Sequence, residues 1–461
     1  MMKKIVVIPL GLIEDYINTG RTYQYLENYF NPNGFFDEVY CLSPGGENIK
    51  IGNVQYINAE PKDFGRIINK VKPDIVRAYA GFGPCDWAAA NRVRNIPLVV
   101  SVHDTNPNLI NQSLKYADYV VCMSQEVKKA VKSQVNIEED RLYVMPNRVN
   151  TEVFYKIKNE EDFEKLNNKF GKGKHILHVG RKCEQKNLDT LIKAMQYLPQ
   201  EYNAIFIGPG NTEPYEKLAQ ECKVAERCFF VDHVNKDDLP IIYSWCDCMC
   251  TPSRWEGFGI VFIEAAACEC SIITSNIAPM NEYLTDGVDG ILVDDYENPK
   301  AIADQIIKAC DDKEYVQRMR TNARKVGLKF DKENIDKQEI ALYENFICRG
   351  TDNTKLYELE KEREKMNKKV IIWGAGINGK KLLELCDKEK VEYFVDSDSK
   401  KVGQQIDGVK TISYADLLKI HKRYNVVVTP TDREKIVQTL TSNGIEYMEG
   451  NWYKILKEQN C

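Results

Sequence analysis

The chain from Ile176 to Leu188 reads Ile-Leu-His-Val-Gly-Arg-Lys-Cys-Glu-Gln-Lys-Asn-Leu, and its reading decides the fold. A strand-like run stops at Gly180, and a helical pattern resumes near Asn187 or Asp189. A short apolar run of this kind, followed by a helix, fits a buried parallel strand with a helical crossover. Ligands of open α/β sheets bind beyond the carboxyl ends of such strands. The loop at that end holds two cations, Arg181 and Lys186. A guanidinium grips oxygens in a fork and an ammonium acts as a movable point charge, so the pair suits a diphosphate. Taken alone, the loop fits a solvated basic turn equally well.

The same alternation runs outward in both directions. Strand-like runs at 204–207, 229–231, 249–252, 271–274 and 290–293 close in helices near 299–326 and 333–347. Towards the N-terminus, runs at 4–10, 75–78, 98–102 and 119–123 alternate with helical stretches at 22–30 and 86–94. The fold class expected is α/β: two Rossmann-like domains, then a third, small Rossmann-like unit. The expected domains are 1–165, 166–350 and 369–461, with 351–368 a charged helical linker. Residues 159–174 read as a polar surface linker.

A second stretch carries chemistry of its own: Pro252-Ser253-Arg254-Trp255-Glu256-Gly257-Phe258-Gly259-Ile260-Val261-Phe262-Ile263-Glu264. A strand ends near Pro252 and a helix begins near Gly259. Gly257 and Gly259 admit a ligand close to the backbone, and the helix N-terminus offers free N–H groups to an anion. Glu256 and Glu264 can accept hydrogen bonds from sugar or ribose hydroxyls. Each glutamate alone also reads as a loop charge or a helix cap.

Composition limits the alternatives. The 461 residues are 43% hydrophobic and 28% charged, which is ordinary globular usage. A net charge of −5 disfavours a general polyanion binder, so no nucleic-acid partner is expected. No apolar run approaches the roughly 20 residues of a membrane span. The apolar opening at 5–10 is soon followed by Glu14-Asp15 and reads as a first strand rather than a secretory leader. Fifteen scattered cysteines fit thiols in a reducing cytoplasm.

Together these motifs resemble family 4 of the retaining glycosyltransferases. The pair Glu256…Glu264 resembles that family's Glu-x7-Glu motif, and 179–188 its V-G-R-x4-K-N-L loop. The stretch 243–253 resembles the strand that enters the motif. Ala117-Asp118, Ser124 and the passage from Met145 to Phe154 resemble its "A-D … S … P-N-G-V-D … F" segment. The likeness spans roughly 1–348. It implies a GT-B fold, two Rossmann-like domains facing across a cleft. By motif match, Arg181 and Lys186 would hold the donor diphosphate and Glu264 the ribose. Glu256, with the backbone of Gly257, Phe258 and Gly259, would hold the transferred sugar, and His103 would reach it from the first domain. Transfer of a hexose or N-acetylhexosamine would retain configuration without a bound metal or other cofactor. The donor would be a nucleotide sugar, with UDP favoured over GDP. The acceptor would be a surface glycan, a lipid carrier or a protein, and a lipid-linked acceptor would place the chain at the inner membrane face. The oligomeric state is left open. Arg148, His233 and Glu269 stand where members often carry Gly, and the family's N-terminal Gly-Gly loop is reduced to Gly20.

Several signals are set aside. The cysteines at 246, 248, 250, 268 and 270 lack paired zinc spacing and read as small core residues. His178 reads as a core histidine, and His175 and His421 carry no partner pattern. Asp396-Ser397-Asp398 resembles the D-x-D of metal-dependent transferases but belongs to the third unit. There, a strand at 370–373, the loop Gly374-Ala375-Gly376-Ile377-Asn378-Gly379, a helix at 380–388 and a strand ending at Asp396 form a nucleotide-binding pattern. The unit resembles the N-terminal domain of bacterial sugar acyltransferases, which implies a second nucleotide site at Gly374, Gly376, Gly379 and Asp396. Packing or oligomerisation explains the pattern equally well. Two rivals stand beside the enzyme reading: a non-catalytic nucleotide-sugar sensor, and a dehydrogenase led by the glycine loop, which leaves 1–348 unexplained.

Overall fold

The computed structural model describes residues 2–18, 22–386, 388–431 and 433–459. Gly20 therefore lies outside the described residues. The first eight strands are β1 Lys4–Ile8, β2 Glu38–Ser43, β3 Ile49–Ile51, β4 Val54–Asn58, β5 Ile75–Tyr79, β6 Leu98–Val102, β7 Tyr119–Cys122 and β8 Leu142–Val144. They form one sheet ordered β3-β4-β2-β1-β5-β6-β7-β8. Next come β9 Lys174–Val179, β10 Tyr202–Ile207, β11 Cys228–Val231, β12 Cys248–Thr251, β13 Ile272–Ser275 and β14 Ile291–Val293. Their order, β11-β10-β9-β12-β13-β14, is that of a doubly wound dinucleotide-binding sheet. The third sheet holds β15 Val370–Trp373, β16 Val391–Val395, β17 Gln405–Ile406, β18 Val409–Ile412, β19 Asn425–Val428 and β20 Tyr447–Glu449. Its order, β17-β18-β16-β15-β19-β20, repeats the pattern of the first six strands of the first sheet. Pairing is parallel throughout except at the hairpins β3–β4 and β17–β18. The central strands are continuous apolar runs because both faces are covered; in β1, Ile5, Val6, Val7 and Ile8 are all fully buried.

The first two units are joined by two chain crossings that bond to each other. Val149 N–H donates to the Phe330 carbonyl at 2.9 Å, and Lys332 N–H returns to the Val149 carbonyl at 2.8 Å. The helix Lys332–Arg349 then packs back on the first unit, where Phe346 stacks on Tyr119 at 4.3 Å and Tyr343 meets Phe36 edge-on at 5.0 Å. Segment 159–174, read as a linker, contains the helix Glu160–Phe170. A single buried anchor, Phe170 against Phe229 and Trp245, seats it, too little apolar content to show in the sequence.

The charged run after residue 351 is helical, Thr354–Lys365, but it does not stand free in solvent. Leu359 and Glu362 turn inward, and the Glu362 carboxylate accepts from the Tyr116 hydroxyl and from Trp452 Nε1. Tyr116 stacks on Trp452 at 5.7 Å. One apolar core runs from Val6 and Val100 of the first unit to Val370, Trp452 and Leu456 of the third, so the third unit is docked rather than tethered. No helix of the described residues is long and apolar enough to cross a membrane.

Candidate active site

The second sheet reverses its winding between β9 and β12, so the loops after those two strands part and leave a crevice. Both motif stretches occupy this point. After β9, Gly180 adopts φ +157°, and a Cβ there would press on the Lys186 stem at 3.1 Å. The glycine thus lets Lys186 fold back over the strand end. Lys186 is nearly buried, and its Nζ meets Glu256 Oε1 at 2.5 Å. The Ser253 hydroxyl donates to the same oxygen at 2.8 Å. Two residues predicted to grip different parts of a donor therefore grip each other. Lys186 carries three donors, which leaves others to share with a phosphate.

Arg181 is exposed and donates to the Gln185 amide oxygen at 3.1 Å; among the described residues no carboxylate pairs with it. Lys182 is the structural cation of the loop. It is buried and bonds the Gly208 and Val231 carbonyls and Asp232. His178 sits beneath, its Nε2 3.1 Å from the Lys186 carbonyl. Burial outweighs that hydrogen bond and lowers its pKa to about 4, so the ring is neutral and Nε2–H donates.

After β12, Gly259 takes the left-handed conformation (φ +83°) and opens the helix Ile260–Ala267. A Cβ there would strike the Phe262 ring at 2.5 Å. The Phe258 side chain is packed against Tyr283 (5.2 Å) and Phe330 (5.5 Å), so only its backbone is available to a ligand. Gly257 is the point where the two walls touch: a Cβ on it would lie 1.7 Å from the His103 carbonyl oxygen. Beside it, the Ser124 hydroxyl donates to the Gly257 carbonyl at 2.8 Å. The N–H groups of Gln125 and Glu126, at the start of the helix Gln125–Gln134, donate to the two Glu282 carboxylate oxygens at 3.0 Å each. A helix N-terminus of the first unit is thus capped by an acid of the second.

A cavity of about 190 Å³ opens beside this contact, between His103, Tyr79 and Arg77 on one wall and Ile260, Glu264 and Lys236 on the other. Glu264 is buried; it pairs with Lys236 at 3.3 Å and accepts from the Tyr243 hydroxyl at 3.4 Å. Burial, and secondarily the Arg77 charge, lower the His103 pKa to about 4. The structure therefore brings His103 and Glu264 into one cavity. The Lys186–Glu256 pair and Arg181 are not among its lining residues and sit at the second sheet's switch point. Sequence reasoning missed the floor of the cavity. Arg77 bonds Glu339, the Tyr343 hydroxyl and Ser101, and Arg148 bonds Glu339 and Asp336. Burial pushes the Glu339 carboxyl up, but Arg148 and Arg77 outweigh it and hold it at about 2. Arg148, flagged for replacing a glycine, thus has a defined electrostatic role. Arg77 lay hidden inside a run read only as an apolar strand.

Cys246, Cys248, Cys250, Cys268 and Cys270 are buried. Among the described residues no group of three or more His, Cys, Asp or Glu converges in metal-binding fashion. In the third unit, the Asp396 carboxylate accepts from Ala375 N–H (2.9 Å) and Asp398 N–H (2.9 Å) and pairs with Lys401 (3.0 Å). A Cβ on Gly379 would meet the Gly374 carbonyl at 1.8 Å, and one on Gly374 the Thr429 hydroxyl at 2.7 Å. Close packing accounts for these two glycines; at Gly376 a Cβ would meet open space.

Comparison with known proteins places these features. Residues 32–153 match the model of Glycosyltransferase Family 4, 159–326 that of Glycosyl transferases group 1, and 366–449 that of the C2185-like N-terminal domain. An uncharacterised glycosyltransferase of Methanocaldococcus jannaschii is 28% identical over 342 residues, 69% of this chain and 86% of that protein. The O-antigen chain mannosyltransferase RfbU of Salmonella typhimurium is 28% identical over 213 residues, 42% of this chain and 57% of that protein. Among solved structures, a glycosyltransferase from Rickettsia africae superposes with TM-score 0.63 at 19% identity, covering 75% of this chain and 98% of that one. Anabaena HepE in complex with UDP and glucose gives TM-score 0.62 at 19% identity, covering 74% and 100%. At such identity these two likenesses bear on the fold alone, and the fold they share with this chain is the two-unit GT-B arrangement.

Proposed function

From the premise that the chain belongs to family 4 of the glycosyltransferases, we propose that it moves a hexose or N-acetylhexosamine from a UDP-sugar, or a GDP-sugar, to a hydroxyl of a surface glycan, lipid-linked or protein acceptor. Transfer retains anomeric configuration and needs no bound metal. Arg181 and Lys186 take the diphosphate, with the N-terminus of the helix Ile260–Ala267 behind them. Glu264 takes the ribose. Glu256, oriented by Lys186 and Ser253, takes the transferred sugar with the backbone of Gly257 to Gly259, and His103 closes over it from the first unit. The chemistry is electrostatic: cations and N–H groups aimed at the departing diphosphate stabilise charge as it develops, and closure positions the acceptor.

The observation that carries this reading is the Lys186–Glu256 pair at the second sheet's switch point, one residue from the contact between Gly257 and His103. The mannosyltransferase relative supports a hexose, and the UDP bound by Anabaena HepE, which shares the fold, makes UDP the first nucleotide to test. The third unit, by the same residues, would offer a second nucleotide site at Gly374, Gly376, Gly379 and Asp396. Calorimetric titration of UDP and GDP into the full chain, the Lys186→Ala variant and the Asp396→Ala variant tests both sites. UDP binding lost in Lys186→Ala and kept in Asp396→Ala supports the donor site. Binding that survives Lys186→Ala and is lost in Asp396→Ala moves the nucleotide to the third unit and favours a sensor.

A further inference from the structure

The stretch 103–111 leaves β6 at the cleft and ends against the third unit. Successive turns of its own stiffen it. Asn106 N–H donates to Asp104 Oδ1 at 2.8 Å, Asn108 N–H to Asn106 Oδ1 at 2.9 Å, and Leu109 N–H to the Asn106 carbonyl at 2.9 Å. At its near end the His103 carbonyl lies against Gly257, where a Cβ would find no room. At its far end the buried Asn111 ties it down. The Asn111 N–H donates to the Gly81 carbonyl at 2.7 Å, and Nδ2 donates to Asp86 Oδ2 at 2.8 Å. The third unit supplies the last partner. Arg433, at the start of the helix Glu434–Ser442, donates from Nη2 to Asn111 Oδ1 at 2.8 Å and to Glu449 Oε1 at 3.0 Å. Glu449 Oε2 accepts from the Gln112 N–H at 3.3 Å.

Apolar burial already accounts for the docking of the third unit, through the core that Tyr116, Trp452 and Leu456 share with the first. A buried ion pair is a poor source of further stability, because desolvation offsets most of the attraction. Burial pushes the Glu449 carboxyl up to about 7 even with Arg433 beside it. What a guanidinium adds is direction, since its N–H groups are rigidly aimed. With both hydrogens of Nη2 engaged, Arg433 is fixed by Glu449 on one side and fixes Asn111 on the other. The stretch between Asn111 and His103 is short and bonded to itself, so a displacement at Asn111 is carried to the contact with Gly257.

We infer that Arg433 is a positioning residue for the transfer reaction: through Asn111 it sets where the stretch 103–111 presents His103 to the second unit. The third unit thereby acts on the cleft from outside it. The inference rests on reading the cleft as a transferase site.

The test is hydrogen–deuterium exchange on the full chain, paired with calorimetric UDP affinity and with UDP release from UDP-glucose, UDP-galactose and UDP-N-acetylglucosamine, water serving as acceptor. Arg433→Met combined with Glu449→Gln removes the guanidinium and leaves no carboxylate unpaired in its place, and Glu449→Gln alone is the control. In the double variant the amides of 106–111 should exchange at least about 5-fold faster, the order of one lost hydrogen bond, while those of β15 and β19 keep the parent's rates. On the donor the parent turns over fastest, kcat should fall about 10-fold at unchanged UDP affinity, inside the roughly 100-fold cost of a 1 Å misplacement. Glu449→Gln alone should keep the parent's kcat, and Arg433→Lys should keep part of it. Asn111→Ala should reproduce the loss, and adding the Arg433→Met and Glu449→Gln changes to it should cost no more than about 2-fold further. Unchanged exchange at 106–111, a kcat within about threefold of the parent's, or losses that multiply when the Asn111 and Arg433 changes are combined would each overturn the inference. Faster exchange in β15 and β19 as well would assign Arg433 to the fold and also overturn it. A parent that neither binds nor releases UDP fails the transferase reading itself and takes this inference with it; a parent that does both, beside a double variant that matches it, fails the inference alone.

Discussion

Gly257→Ala should disable the enzyme while leaving its parts folded. A new Cβ would sit 1.7 Å from the His103 carbonyl oxygen, and contacts below 3.0 Å are essentially never tolerated. Both atoms are backbone-fixed, so the two walls must separate by about 1.3 Å, the difference between those distances. That separation also strains the Ser124–Gly257 hydrogen bond alongside. A misplacement of about 1 Å costs on the order of 100-fold in rate, because positioning supplies much of the catalysis. Arg181 and Lys186 lie on the second unit alone, so UDP should still bind with little change. The assay pairs steady-state UDP release with calorimetric UDP affinity, and circular dichroism checks the fold. A kcat within about threefold of the parent would refute the argument that this contact sets the catalytic geometry. An equal collapse of UDP affinity would show instead that the diphosphate loop depends on closure.

Three further outcomes follow from the geometry. Glu282→Ala removes the acid that caps the Gln125 and Glu126 N–H groups, a loss of about 1 kcal/mol on the closed state; kcat should fall roughly fivefold at unchanged UDP affinity, and Glu282→Gln should recover part of it. Lys186→Ala should weaken UDP binding by roughly 10- to 100-fold and, by leaving the buried Glu256 unpaired, also lower the melting temperature, whereas Lys182→Ala, which strips two carbonyls and Asp232 of their partner, should lower the melting temperature with a smaller loss of UDP affinity. Burial and the neighbouring Asp86 hold the Glu449 carboxyl at about 7 despite Arg433, and burial holds Asp86 at about 6. Both folded values lie above the unfolded carboxylate range, so the folded chain binds more protons there and stability falls as pH rises from about 4.5 to 7. Thermal melts across that window should show the decline in the parent and a flatter profile in Glu449→Gln.

The sheet-forming runs, and the place of both motif stretches in loops at the second sheet's switch point, were legible in the sequence for a common reason: buried parallel strands are continuous apolar segments bounded by loops that break the pattern. The runs at 75–78 and 98–102 overlap β5 and β6, and the glycines at 257 and 259 stand where strand passes to helix. Strands whose apolar content is diluted escaped notice. Among these are β3, an exposed hairpin arm, and β17, β18 and β20 of the third unit. The charged helix Thr354–Lys365 read as a spacer because its two inward positions, Leu359 and Glu362, include a glutamate, and only the facing Tyr116 and Trp452 reveal why it is buried. The cavity floor was illegible for a deeper reason. Arg77, Arg148 and Glu339 are 71 and 191 residues apart, and no local pattern announces a salt bridge formed when a helix of the second unit returns to the first.

The three switch points show why topology alone does not make a site. In the third sheet, the loops after β15 and β19 hold the same topological place as those after β9 and β12 in the second. Yet Asn378 is bonded to the Thr429 carbonyl and the Thr431 hydroxyl, Asp396 accepts from the Ala375 N–H and pairs with Lys401, and Gly374 is pressed against Thr429 and Pro430. These side chains are satisfied by the protein, so a ligand that recruits them must break existing bonds before it makes its own. At the second sheet, by contrast, Arg181 stands without a carboxylate partner among the described residues, and Lys186 retains donors beyond the one given to Glu256. The first sheet's corresponding edge faces that crevice and supplies two unpartnered polar atoms, Tyr79 Oη and His103 Nε2. The cleft between the first two units thus retains unused hydrogen-bonding capacity on both of its walls. The third unit, by sharing an apolar core with the first through Tyr116, Trp452 and Leu456, braces one wall of that cleft.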